Sequence, residues 1–210
     1  MFPHTLRTGI VTLDPTTGAA QRVIALQYNP ETLNRSLAVQ AAGADPAQAL
    51  RLKGVAVETI RLEAAIDATD DLAEPQLHPE RVQVGIHPEI AALQSLVNPR
   101  TEVLVANQSR MQSGLFDALP EEEPLALFVW SKERVVPIRL NELAVVEELF
   151  DTRLNPIRAK VTLTMRVLSV DDFGLSTRGG TLHLAYLQNQ ERRAAQARSA
   201  SLSLLGLGGI

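Results

Sequence analysis

Phe150–Leu168, FDTRLNPIRAKVTLTMRVL, is the stretch whose reading decides the fold. Asn155-Pro156 sets an extended or turning backbone, because proline pushes the residue before it out of the helical region. Strict alternation follows. Ile157, Ala159, Val161, Leu163, Met165 and Val167 point one way, whereas Arg158, Lys160, Thr162, Thr164 and Arg166 point the other. A period of two over this length is a β-strand with one face in a core and one face wet and basic. Such a long strand suits a barrel or an extended sheet better than a compact α/β enzyme.

Working outward, the same alternation recurs at Val57–Asp67, where Ile60, Leu62, Ala64 and Ile66 share a face opposite Thr59, Arg61, Glu63 and Asp67. Shorter strands are expected at Leu6–Leu13, with Gly9 as a possible bulge, and at Arg22–Tyr28, joined by the turn Asp14–Gly18 into a hairpin. Leu33–Val39 reads as a further strand with Leu33, Leu37 and Val39 turned inward and Asn34 and Ser36 outward. Ala41–Gly54 reads as a loop with at most one helical turn. Leu125–Trp130, Arg134–Asn141 and Val145–Phe150 complete the β inventory, and Pro137 points to an edge or bulged position for the second of these.

The middle differs. Ala68–Pro88 is acidic and proline-bearing, and breaks the strand pattern. Pro88–Val97 reads as a short helix with Pro88 in its first turn and a narrow stripe of Ile90, Leu93 and Leu96. Arg100–Pro124 reads mostly as loop, with an acidic run at Glu121–Glu123, and Asp171–Gly180 as another. Leu182–Ala200 is a helix whose Arg192, Arg193 and Arg198 complement the negative end of its dipole. The tail SLSLLGLGGI is apolar and uncharged, and such a tail folds back on its own domain, docks on a partner, or stays disordered. The expected organisation is a β domain over residues 1–180 with a loop and helix insertion at about 68–124, then a C-terminal helix and tail over 181–210.

The bulk numbers bound the function. The chain has 210 residues, 45% hydrophobic and 21% charged, which is globular composition. Its net charge of −4 argues against nucleic acid as the primary partner. With no cysteine, disulfides, thiolate catalysis and cysteine-held metal are excluded. No signal peptide and no membrane span is read, so a cytoplasmic product is expected.

Catalytic signatures are missing. Ser113-Gly114 and Ser176 lack a nucleophile-elbow frame, Gly179-Gly180 belongs to neither a phosphate loop nor a dinucleotide fingerprint, and the acidic pairs fall in expected loops. His78-Pro79-Glu80 and His87-Pro88-Glu89 repeat a His-Pro-Glu triplet that could ligate a metal, although proline after each histidine disfavours helical presentation. The expectation is no enzyme, no cofactor and no metal, with these triplets as surface loops. Trp130 and Tyr28 each have two readings: core packing with a polar tip at the surface, or interface anchor.

Two blocks carry a resemblance. Leu26-Gln27-Tyr28-Asn29-Pro30-Glu31-Thr32-Leu33 with Arg35-Ser36 resembles the opening of contractile injection system tube proteins. Leu127-Phe128-Val129-Trp130, then Phe150-Asp151 and Asn155-Pro156-Ile157-Arg158-Ala159-Lys160-Val161, resembles their later block. The resemblance covers the first forty residues and residues 125–170. It implies an antiparallel β-sandwich or split barrel, which with the short middle helix and the C-terminal helix read above makes a mainly β, α+β fold. It further implies an adaptor that forms a hexameric ring, joins the spike or baseplate hub to the inner tube and initiates tube growth. The partners implied are sister copies, the inner tube protein and the spike hub, in a phage-tail-like particle assembled in the cytoplasm. Tyr28, Asn29, Pro30, Trp130, Asn155, Pro156 and Arg158 are the expected partner contacts, with Leu204 and Leu205 of the tail. Longer members carry a LysM module that these residues lack, so glycan binding is not carried over. Ser131-Lys132 after the tryptophan also departs from the family pattern. A small-ligand-binding β-barrel with Trp130 and Tyr28 in its mouth is the alternative.

Overall fold

A computed structural model of the chain describes residues 7–14, 17–41, 51–112, 124–197 and 200–206. His4, the Glu121–Glu123 run, Ser113-Gly114 and the tail beyond Gly206 lie outside them. Among the described residues seven strands are present: β1 Gly9–Leu13, β2 Ala20–Ala25, β3 Leu33–Ala38, β4 Val57–Asp67, β5 Ala126–Ser131, β6 Arg134–Phe150 and β7 Pro156–Val167. They form one antiparallel sheet in the order β2-β1-β5-β6-β7-β4-β3. The mainly β, α+β expectation holds, but the sheet is open and not a closed barrel.

The two long alternating strands pair with each other. Ile60 lies opposite Met165, Leu62 opposite Leu163, and Ala64 opposite Val161, so their apolar faces coincide. Leu62, Leu163 and Met165 are essentially inaccessible to solvent. Burying one such side chain contributes roughly 1.5–3 kcal/mol. Phe128 and Val136, also fully buried and paired across β5 and β6, extend the same core.

β6 is one strand where two were expected. Its alternation is interrupted at Asn141, where the register shifts between Leu140 and Glu142. This bulge lets Leu140, opposite Met165, and Leu143, opposite Leu163, face the core although they are three residues apart. Pro137 is also not at an edge, since β6 lies between β5 and β7. Its carbonyl accepts from the Leu168 amide at 2.9 Å, so its ring nitrogen faces the place where β7 has already ended. The missing N–H therefore forgoes only the reciprocal bond at the last rung of the ladder, where β7 ends.

The expected inward set of β3 is corrected as well. Arg35 and Leu37 share the face of Leu33, opposite Ile60 and the inward Glu58, but Leu37 and Val39 are 54% and 68% exposed.

Six helices accompany the sheet among the described residues: α1 Thr69–Ala73, α2 Pro79–Val84, α3 His87–Gln94, α4 Thr101–Gln112, α5 Val170–Phe173 and α6 Arg178–Ala195. The middle thus holds four helices, not one, and the Arg100–Pro124 loop expectation gives way to α4. α4 buries no residue, so it carries no one-sided apolar stripe for the sequence to display. α3 does show its stripe, and Ile90 and Leu93 are buried in the core. Arg81 ties the first three helices together, donating to Asp71 at 3.0 Å and Glu89 at 2.6 Å. Its guanidinium is held above its ordinary pKa, first by the hydrogen bond to Glu89.

α6 begins four residues earlier than its apolar pattern suggests. Thr177 caps it, its side chain accepting from the Gly180 amide at 3.1 Å. Gly179 and Gly180 are tolerated because α5 sits against them: a Cβ on Gly180 would come within 2.0 Å of the Gly174 carbonyl oxygen.

Candidate assembly surfaces

The two ends of the sheet are built differently. At the end where β4 finishes and β7 begins, Gln27, just after β2, clasps the Asp67 backbone. Its side-chain amide donates to the Asp67 carbonyl at 2.6 Å and accepts from the Asp67 amide at 2.7 Å. β2 is one margin of the sheet and β4 is next to the other, so this clasp curls the sheet and draws its margins together without a strand pair. Asp67 also takes two bonds from Arg158, both 2.7 Å. Burial pushes its carboxyl up, but hydrogen bonds from Thr69 and from Arg158 outweigh this and hold it below the usual carboxylate range.

Asp67 thus brings together the two sequence blocks singled out above. Asn29 accepts from the Thr8 amide at 3.0 Å, and the Thr8 hydroxyl donates to the Val129 carbonyl at 2.7 Å. Asn29 is therefore tied to the N-terminal segment, while its neighbour Tyr28 is exposed and Pro30 half-buried. Asn155 donates to the Gln83 carbonyl at 3.0 Å and to Asp151 at 2.8 Å. Pro156 is buried, and its carbonyl accepts from Ile86 at 3.0 Å. Gly85, at φ 57°, lets α2 approach: a Cβ there would lie 2.2 Å from the Pro156 carbonyl oxygen. Asn155-Pro156 thus anchors α2 and α3 to the start of β7.

At the opposite end the core contains charge. Glu58, 5% exposed, accepts from Arg35 Nε at 2.6 Å and from the Tyr186 hydroxyl at 3.1 Å. Arg35 also donates to the Tyr186 oxygen at 2.6 Å. Burial, followed by the Glu58 charge, pushes the Tyr186 hydroxyl up to about 12. The hydrogen bond to Glu58 holds Arg35 above its ordinary value. One turn before Tyr186, His183 is 3% exposed, and its Nδ1 has no hydrogen-bond partner. Burial lowers its pKa, against the opposing pull of Glu58, Asp171 and Asp172.

Sequence reading missed Glu58, Arg35 and Gln27. The signal for Glu58 was its position: it continues the inward register of Ile60, Leu62, Ala64 and Ile66, where a carboxylate requires a partner. Gln27 offered no periodic signal.

Trp130 is half-buried, its ring 6.2 Å from that of Phe128, and it packs on the core while lining a cleft of about 470 Å³. Tyr28 does not line that cleft, so the two aromatics do not form one mouth. Leu204 and Leu205, in a short 3-10 turn at Leu202–Leu205, are 76% and 70% exposed. His78 lies 3.7 Å from Glu80, but Glu89 is engaged by Arg81. Among the described residues no three His, Asp or Glu side chains are grouped to hold a metal.

Two surfaces remain open. The outer face of β4, β7 and β6 carries charges of both signs, and no residue of that face on these strands from Thr59 and Arg166 to Arg158 and Glu148 is buried. Lys160 pairs with Glu148 at 2.9 Å, and Arg166 with Asp172 at 2.7 Å. The other is strand edge. β2 and β3 are the margins of the sheet, and β6 beyond Ile138 pairs with β7 alone, since its pairing with β5 spans Arg134–Ile138.

No family model matches the chain, and no curated protein does. Among solved structures it is similar to a chain in the tail of an empty gene transfer agent particle refined with C6 symmetry, at 12% identity and a TM-score of 0.30, covering 77% of this chain and 90% of that one. A chain in the virion of a native gene transfer agent particle gives 12% identity and a TM-score of 0.29, covering 77% and 91%. Likeness at that score supports no conclusion about role. No helix among the described residues is long and apolar enough to cross a membrane.

Proposed function

We propose that this chain is a structural subunit of a phage-tail-like, contractile injection particle. Its job is to form a ring, hexameric in the family it resembles, that joins the spike hub to the inner tube and starts tube growth. The observation that carries this reading is the distal half of β6. From Asn141 to Phe150 the strand is paired on one side only among the described residues, and Val146, Leu149 and Phe150 are each about half exposed or more. A long free edge is a hazard in a monomer and a joint in an assembly. The outer face, mostly polar and with charges of both signs, suits a hydrated channel wall that gives cargo little apolar surface to adhere to. Tyr28 and Leu204-Leu205 are exposed and available to neighbours above or below the ring, whereas Asn29, Asn155 and Arg158 act by shaping the end of the sheet.

The test is the native mass of the purified chain, alone and mixed with tube and spike proteins, with electron microscopy of the products. Rings that nucleate tubes are expected. A chain that stays monomeric with both partners present contradicts the reading.

A further inference from the structure

The cleft beside Trp130 sits where the β5–β6 turn meets α6. Arg35, Arg134, Tyr186, Asn189 and Arg193 form its walls with Trp130. Two of the three arginines are already engaged by carboxylates of the chain itself. Arg35 is fixed by Glu58 in the floor, and Arg193 pairs with Glu133 at the rim. Arg134, half-buried, has no carboxylate within ion-pair distance among the described residues, so one positive charge is left over.

We infer that this cleft is a binding site for a single carboxylate carried on a polypeptide, with an apolar neighbour resting on the Trp130 indole. The planar fork of Arg134 matches the two oxygens of a carboxylate. Guanidinium groups form paired hydrogen bonds with carboxylates, and Arg35 and Arg193 already bind carboxylates here through one bond each. The Asn189 side chain, held by the Glu133 carbonyl at 3.4 Å and by Arg192 at 2.6 Å, fixes the position of the turn against α6. Gln190 adds an amide to the wall, able to meet peptide N–H or C=O groups. The rim pair is the adjustable part. Arg193 and Glu133 are both about half exposed, so Glu133 occupies the place of an incoming carboxylate and yields it at little cost. The volume lies within the usual range for small-ligand sites. The site is read on the isolated chain, so its failure is separate from a failure of the ring.

Trp130 is the only tryptophan, and its fluorescence reports the cleft without a label. The probes are N-acetyl-Leu-Glu-Leu-amide, whose carboxylate is a side chain, and N-acetyl-Leu-Leu, whose carboxylate is terminal. Their controls are the Gln and amide counterparts, and inorganic phosphate. Saturable change is expected with one or both carboxylate peptides below about 10 mM, the winner naming the source, and not with the controls. Arg134→Gln is expected to weaken binding about tenfold. Glu133→Gln, at an exposed position, is expected to tighten it about threefold by releasing Arg193, and carries the test if Arg134→Gln does not fold. No saturation, equal response to the uncharged controls, preference for phosphate, or affinity unchanged in both variants overturns the proposal.

Discussion

The two halves of β6 belong to one strand and have opposite fates. From Arg134 to Ile138 it pairs with β5, at Ile138 β7 takes over on its other side, and Val136 and Ile138 are sealed in the core. From Asn141 to Phe150 only β7 accompanies it, and Val146 and Leu149 are each 58% exposed. The bulge at Asn141 separates the two. The first half is completed by folding; if the second is completed by another chain, as proposed, substitutions should divide stability from assembly along that line.

The largest effect is expected in the first half. Ile138→Ala should cost about 3 kcal/mol by chemical denaturation, through lost burial and the cavity left behind. In the second half Val146→Lys should change stability by less than about 0.5 kcal/mol, yet abolish assembly, because a lysine on a free edge discourages strand addition. Equal stability losses in the two halves would break the distinction.

Glu58→Ala comes next. It leaves Arg35 and the Tyr186 hydroxyl without their shared acceptor, and should cost about 2 kcal/mol, less than for a fully buried pair because Arg35 keeps some exposure. α6 packs on β6, so its release should show as faster amide exchange in the first half and not in the second.

Acid should act in the same direction. The folded chain binds a proton at His183 less readily than the unfolded chain does. The stabilisation is complete above the ordinary histidine value, near pH 6.5, and is lost as pH falls below it. Asp67 and Asp172, both held below their ordinary value, keep their contribution above about pH 4 and lose it as pH falls further. Melting temperature between pH 7 and 5 should therefore fall in the native chain and flatten in His183→Leu. A slope unchanged by that substitution would remove His183 from the account.

Arg158→Ala should have a small effect on stability, under about 1 kcal/mol, because Arg158 is half exposed although Asp67 is not. Double substitution with Gln27→Ala should add more than either alone, since both act on Asp67.

Much of this architecture was legible. β4 and β7 announced themselves by alternation, and α3 by its proline and its apolar stripe, because each has one wet face and one dry face. What stayed hidden had no such contrast. α4 has no buried face. β6 loses its period at Asn141, and so reads as two strands. Leu37 and Val39 looked inward by residue type, but lie on a margin that nothing covers. Of the candidate contacts, Asn155-Pro156 was visible as a turn, but not as the anchor of α2 and α3. The Glu58, Arg35 and Tyr186 cluster joins residues up to 151 positions apart, a link that only the folded sheet provides.

The central claim is that the free edge of β6 is completed by another chain. Hydrogen exchange of its amides between residues 143 and 149 tests this most directly, comparing the dilute chain with the assembled particle. Slow exchange in the particle and fast exchange in the dilute chain is the expected result. Equal exchange in both states, within an intact particle, would contradict it.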